Sequence, residues 1–332
     1  RQMDIEMVIS YWIRLFITKM GWIDEFDVII SRYIMKPYFR PLQTFDVNAD
    51  VVNSAKFSRD GNKLVLSSND QTVRIYDTKS RTEIQTLRGH SDKVNDAQFS
   101  PDGTMIVSCS NDKTVRLWDA KSGKEITTLT GHSDQVTSAQ FSPDCTIVTS
   151  CSVDTTIRIW DVLSGMEIRK LEGHSRVIND VQFSPDGQLL VSASADTTIC
   201  VWNVQSGERI HVLSGHLDDV WKVQFFADGK FVVSCSKDKK IRAWNVMSGM
   251  KIRDFGMCFS SIKDAKYLPN SQIIVSCTSK MIQLWDTMFE IKTQKIVLNN
   301  TTLSGMDISQ DGSLIASFTA KTIQLWGRLW GT

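Results

Sequence analysis

From Phe39 to Trp326 the apolar residues fall into short runs separated by clusters of Asp, Asn, Gly, Ser and Pro. In one stretch Val94, Ala97 and Phe99 lead to Ser100-Pro101-Asp102-Gly103, and Met105-Ile106-Val107-Ser108 leads to Asn111-Asp112-Lys113. Val115-Arg116-Leu117-Trp118 then leads to Ser122-Gly123, and Glu125-Ile126-Thr127-Thr128-Leu129 closes the unit. Apolar runs of this length bounded by turn residues predict four strands joined by tight turns. The unit recurs: Tyr76, Trp118, Trp160, Trp202, Trp244, Trp285 and Trp326 end the same phrase at gaps of 42, 42, 42, 42, 41 and 41 residues. A fixed period of that size marks a repeat architecture.

One four-stranded sheet of about 40 residues cannot bury both of its faces, so the copies must pack on one another. Radial packing that returns on itself leaves only short, protected edges, which predicts an all-β propeller of seven four-stranded antiparallel blades. The last copy stops just after Trp326, without its fourth strand. Phe39-Arg40-Pro41-Leu42-Gln43-Thr44-Phe45 aligns with the stretch ending at Leu129 when Phe45 is set on Leu129, so the N-terminal strand is expected to complete the last blade. Pro41 suits an outer strand, where one backbone donor can be missing.

The repeat carries Gly89-His90, Gly131-His132, Gly173-His174 and Gly215-His216, and Trp118-Asp119, Trp160-Asp161 and Trp285-Asp286 with near matches at Trp202-Asn203 and Trp244-Asn245. With Asp112, Asp154, Asp196 and Asp238 at a constant offset between them, the chain resembles the WD-repeat (tryptophan-aspartate) family over roughly residues 39 to 327. The resemblance also implies the closing clasp, and in each blade a buried hydrogen-bonded set of His, Ser, Asp and Trp. By position these are His90, Ser108, Asp112 and Trp118; His132, Ser150, Asp154 and Trp160; His174, Ser192, Asp196 and Trp202; and His216, Ser234, Asp238 and Trp244. The first blade instead has Val47-Asn48 and Tyr76, and the sixth and seventh have Met257-Cys258 and Leu298-Asn299. In these last two the shorter gaps place the lost residue at Thr278-Ser279-Lys280 and Thr319-Ala320-Lys321, where the Asp should stand. These blades around the closure are either locally less stable or carry a specialised surface.

With 38 basic and 37 acidic residues, the chain has no global field drawing it to nucleic acid or an anionic membrane. At 332 residues and 42% hydrophobic composition it can bury a large core. Of seven cysteines, Cys109, Cys151, Cys235 and Cys277 share one position in the second strand, filled by Ala193 in the fourth blade. Sheets about 10 Å apart hold such thiols beyond disulfide reach, so they read as free and the chain as intracellular, cytoplasmic or nuclear. The sequence has neither an apolar run long enough to span a bilayer nor a signal-peptide layout at its start. Beginning at Arg1 rather than Met, it is expected to be part of something longer.

Residues 1–38 stand outside the repeat, which divides the chain into 1–38 and a propeller domain at 39–332. Ile5, Val8, Ile9, Trp12, Ile13, Phe16 and Met20 keep helical spacing, Gly21 is a stop, and Trp22, Phe26, Ile29, Ile30 and Tyr33 begin a second run. Two short helices in a hairpin are expected, acting as a cap or the tail of an upstream domain, or as an oligomerisation or adaptor-docking element.

No phosphate loop, metal-spaced Cys pair or nucleophile elbow is present, and four of the five histidines lie in four different blades where they cannot converge. His211, in a fourth strand, reads as a surface residue. No catalytic residue, metal or cofactor is therefore expected, and the chain reads as a non-enzymatic scaffold for a protein or peptide partner, with no oligomeric state implied. In the family the contact face bears the loops after Gly-His and the second turns, which here present Lys93, Asn95, Asn179, Asp219, Trp221, Lys237 and Lys263. Six of ten tryptophans fill the blade position and two lie in 1–38, leaving Trp221 and Trp330 without a structural task. Trp221 is either an exposed anchor with a polar rim or a side chain folded over the channel mouth. The alternative functions are a substrate receptor of a ubiquitin ligase and an accessory domain of a larger catalytic or signalling protein.

Overall fold

A computed structural model describes residues 39–257, 260–269, 271–287, 292–298 and 302–329. The expectations for the helical segment 1–38, for Cys258, Asn299 and Trp330, and for the side chain of Met257 lie outside what is described.

The alternating strands pair into seven separate four-stranded antiparallel sheets arranged as the blades of a propeller. In blade 2 the order from the central channel outward is Val94–Phe99, Met105–Ser110, Thr114–Asp119 and Glu125–Thr130, called here strands a to d. Blades 1 and 3 to 6 repeat that order. In blade 7 strands a to c are Gly305–Ile308, Leu314–Phe318 and Thr322–Arg328, and strand d is Phe39–Asp46. Phe45 pairs with Ile323 and Pro41 with Trp326, with a bulge between Pro41 and Gln43. The backbone of Phe39 is also held by blade 6: its N–H donates to Gln294 Oε1 (3.0 Å) and its carbonyl accepts from Gln294 Nε2 (2.8 Å).

The cores lie between blades. Val65, Val73, Ile75 and Leu87 of blade 1, for example, pack on Val94, Ala97, Phe99, Ile106 and Trp118 of blade 2. Cys109, Cys151, Cys235 and Cys277 are fully buried in such layers, and the six described cysteines are free.

The turn between strands a and b needs one residue with positive φ. Gly61, Gly103, Gly187, Gly229 and Gly312 supply it at φ 66–75°, whereas blade 3 places Cys145 there at φ 63°. A Cβ in this region costs about 1–2 kcal/mol. Cys145→Gly should therefore raise stability by about 0.5–1 kcal/mol, after the greater freedom of glycine in the unfolded chain is allowed for. Urea unfolding checks this; an unchanged or lower midpoint would show that the turn is not strained.

Candidate functional site

Each regular blade contains a chain of polar groups whose direction follows from which members can donate. In blade 2 Trp118 Nε1 donates to Ser108 Oγ (2.8 Å), Ser108 Oγ meets His90 Nε2 (2.8 Å), and His90 Nδ1 meets Asp112 Oδ2 (2.8 Å). An indole only donates and a carboxylate only accepts, so the proton on Nδ1 faces Asp112. Asp112 also accepts from the Ser91 and Thr114 backbone N–H groups and the Thr114 hydroxyl, which ties the loop, the turn and strand c together. The structure brings together His132, Ser150, Asp154 and Trp160, then His174, Ser192, Asp196 and Trp202, then His216, Ser234, Asp238 and Trp244 in the same way. Burial pushes these four Asp carboxyls upward, but the His hydrogen bonds, with those of Thr114, Thr156 and Thr198 in blades 2 to 4 and of Arg242 in blade 5, outweigh it and hold them well below the usual carboxylate range.

Strand c adds a guanidinium beside the Gly of the Gly-His pair, and blades 4 and 5 depart from this. Arg116 and Arg158 lie against Gly89 and Gly131 and pair with Glu125 and Glu167. Blade 4 has Cys200 in that position, and Arg209 reaches the same place from strand d, donating to the Gly173 carbonyl (2.9 Å). Burial alone would lower His174, but Asp196 and the Cys200 sulfur, 3.9 Å from Nδ1, raise it to about 9. In blade 5 burial and the nearby Arg242 guanidinium outweigh Asp238 and lower His216. The irregular blades use other means. Tyr76 bonds Glu83 and the Asn48 N–H in blade 1, while Trp285 donates to Ser276 and Trp326 to Ser317.

The channel mouth on the Gly-His side is shaped by β-bulges. In blades 1 to 6 the register of strands a and b slips at the second residue of strand a, which is Asn53, Asn95, Thr137, Asn179, Trp221 or Lys263. A bulge takes its residue out of the ladder and re-aims the side chain. Most then reach the next blade: Asn53 donates to Val94 O (2.8 Å), Asn95 to Val136 O (2.7 Å), Thr137 to Ile178 O (2.5 Å), Asn179 to Val220 O (2.8 Å) and Lys263 to Leu303 O (2.6 Å). Asn95, Asn179 and Lys263 thus have internal partners that the sequence did not disclose. Trp221 interrupts this series and is 40% exposed.

Around Trp221 the surface is mixed. Asp219 lies 3.7 Å from Lys237 and 3.8 Å from Arg176, and Asp218 lies 3.7 Å from Lys237. Lys93 is exposed on the same face in blade 2. Leu217, in the loop leading to Trp221, is 82% exposed. Sequence reasoning missed it, although blades 2 to 4 place Ser91, Ser133 and Ser175 there and a lone Leu among serines was a visible signal. His211, read as a surface residue, is half-buried, with Nε2 3.0 Å from Met247 O.

The sequence model of the WD domain, G-beta repeat, matches residues 39–77, 81–119, 123–161, 165–203 and 207–245, more than half of the chain. The chain belongs to the WD-repeat family. Blade 6 and strands a to c of blade 7, which lack both Gly-His and the turn Asp, lie outside the matched stretches. No curated protein matches the chain. WD-repeat propellers generally mediate protein–protein interactions. Among the described residues no helix is long and apolar enough to cross a membrane, and no group of three His, Cys, Asp or Glu is placed to hold a metal ion.

This WD-repeat channel has buried charges that no motif announced. Lys56 pairs with Asp96 (2.6 Å), Lys222 with Asp180 (3.2 Å) and Lys266 with Asp307 (2.5 Å). Burial raises the Asp96 carboxyl, but the Lys56 and Lys222 charges outweigh it and lower the net value. Asp264 goes the other way: burial raises it, Lys266 and Lys222 only partly oppose that, and Asp180 and Asp307 add to it.

Two outcomes follow. Trp118→Ala should destabilise by about 3–5 kcal/mol, through the cavity left and the unpaired Ser108 and His90, whereas Trp221→Ala should stay within about 1 kcal/mol. Equal losses in urea unfolding would contradict the exposed placement of Trp221. A carboxyl with a raised folded-state pKa contributes stability that is full below its unfolded value and lost as pH rises through the folded one. Asp264→Asn should therefore raise the Tm relative to the parent at neutral pH, with the difference shrinking toward the acid end. Thermal melts across pH test the sign.

Proposed function

We propose that this WD-repeat chain is a non-enzymatic scaffold that holds a protein or peptide partner on the bulge-bearing face, centred on blade 5. The observation that carries the reading is the exposure of both Leu217 and Trp221, at positions where other blades place serines and internally bonded polar residues. An exposed aromatic and an exposed aliphatic residue four positions apart, rimmed by charges, have the composition of an interface hot spot. Asp219, Lys237 and Arg176 form that rim close by, and Lys93 extends it around the mouth, whereas the Lys263 ammonium is held by the Leu303 carbonyl. Asn95 and Asn179 contribute less, because their amide donors are already engaged. The exposed ion pairs set orientation and rejection of wrong partners more than affinity.

The same reading takes residues 39–332 as one domain, its ring clasped by strand Phe39–Asp46, and places it inside the cell, in keeping with the free thiols.

The test is affinity capture from source-cell lysate with the intact chain and with Leu217→Ser/Trp221→Ala, after both show the same melting curve. Specific partners should fall about tenfold or more on the double variant. Undiminished recovery would move the working surface elsewhere.

A further inference from the structure

Blades 6 and 7 gain positive charge on the face where the other blades carry the turn Asp. Blades 1 to 5 have Asp70, Asp112, Asp154, Asp196 and Asp238 in the turn between strands b and c. The shortened turns of blades 6 and 7 have lost that carboxylate and carry Lys280 and Lys321, both exposed. The stretches leading into strand a of these two blades, 256–261 and 298–303, contain no acidic residue, whereas blades 1, 2, 3 and 5 place Asp50, Asp92, Asp134 and Asp218 there. Blade 5 adds an exposed Lys239 to its turn. Among the described residues the ammonium groups of Lys239, Lys280 and Lys321 have neither a hydrogen bond nor an ion pair. Lys237 and Lys263 differ, since Asp218 and Asp219 approach the first and the Leu303 carbonyl holds the second.

The turns of blades 6 and 7 are fixed rather than frayed. The Lys280 carbonyl accepts from the Leu298 N–H (3.0 Å) and the Ser279 carbonyl from the Leu303 N–H (2.8 Å), which grips both ends of the stretch before strand a of blade 7. The Lys321 and Ala320 carbonyls do the same in blade 1, accepting from the Val47 N–H (2.8 Å) and the Val52 N–H (2.9 Å). Each of these two turns thus clips the next blade through its backbone and leaves its lysine side chain to solvent. Unpaired cations on anchored turns of adjacent blades are a preorganised complement to a run of separated negative charges.

We propose that the partner is an acidic peptide segment whose Asp or Glu side chains lie on Lys239, Lys280 and Lys321 along the turns of blades 5 to 7. This rests on the scaffold reading above and specifies its partner, because the arc begins in the blade that bears Leu217 and Trp221. A nucleic acid fits less well. Asp218 and Asp219 border the arc at blade 5, and Asp46 and Asp50 border it beyond Lys321, so a continuous phosphate backbone would meet carboxylates at both ends, where a peptide can place neutral residues. The chain's own residues 1–38 also fit less well: they join the propeller at Phe39, which pairs with Arg328 at the end of strand c remote from Lys321.

The experiment is selection from a random peptide-display library on the full chain, followed by fluorescence anisotropy with one enriched peptide made synthetically. Enriched sequences should be rich in Asp and Glu, and their affinity should fall as salt rises. Lys280→Glu/Lys321→Glu should weaken binding about tenfold or more, while Lys280→Arg/Lys321→Arg should keep it, each variant melting as the parent does. Leu217→Ser/Trp221→Ala separates this proposal from the reading beneath it. Acidic peptides lost with the Glu variant but kept with that one uphold the basic arc and move the scaffold's centre away from Trp221. Peptides lost only with Leu217→Ser/Trp221→Ala keep the scaffold reading and overturn the acidic partner. Selection of no peptide or of peptides without acidic enrichment would overturn it as well, as would a labelled oligothymidylate that binds more tightly than the selected peptide and is lost with the Glu variant.

Discussion

A four-stranded sheet has two apolar faces, and in this chain each face is covered only by another sheet. Everything else follows from that constraint. The cores belong to pairs of blades rather than to single ones, so Trp118 of blade 2 seals apolar residues of blade 1 while its indole is fixed within blade 2. An inward-facing polar chain is needed because a buried indole N–H and imidazole cannot be left without partners. The cost of unpaired groups also explains the consistency of geometry across blades 2 to 5, where the His–Asp contact is 2.8–2.9 Å.

The blade count, the strand order and the polar sets were legible because each rests on residues at a fixed offset within about 40 positions. A turn Asp two residues beyond a Ser-Cys-Ser or Ser-Ala-Ser strand end means the same thing four times over. The central channel was not legible for the opposite reason. Lys56 and Asp96, or Lys266 and Asp307, come from neighbouring blades about 40 residues apart. Each looks like an ordinary polar residue in an alternating strand, and only the ring places them opposite one another.

Substitution of one element by another also escapes a linear reading. Cys200 looks like the loss of an arginine from strand c of blade 4, and Arg209 looks like a charge-reversed surface position. Together they restore the guanidinium beside Gly173 from the other strand. Blade 1 behaves similarly, with Arg74 held between Asp70 (2.8 Å) and Glu83 (2.9 Å) where the His set is missing. The irregular blades therefore keep their inner contacts by different chemistry, and irregularity in the motif is a poor guide to looseness in the fold.

The bulge at the second residue of strand a has a consequence for how such a surface can change. A residue outside the hydrogen-bond ladder sets neither the register nor the burial of its neighbours, so replacing it leaves the blade intact. Asn, Thr, Lys and Trp all occur at this place in one molecule. Each mouth position therefore behaves as an interchangeable slot, and a slot released from clipping adjacent blades is free to acquire a ligand without any redesign of the scaffold.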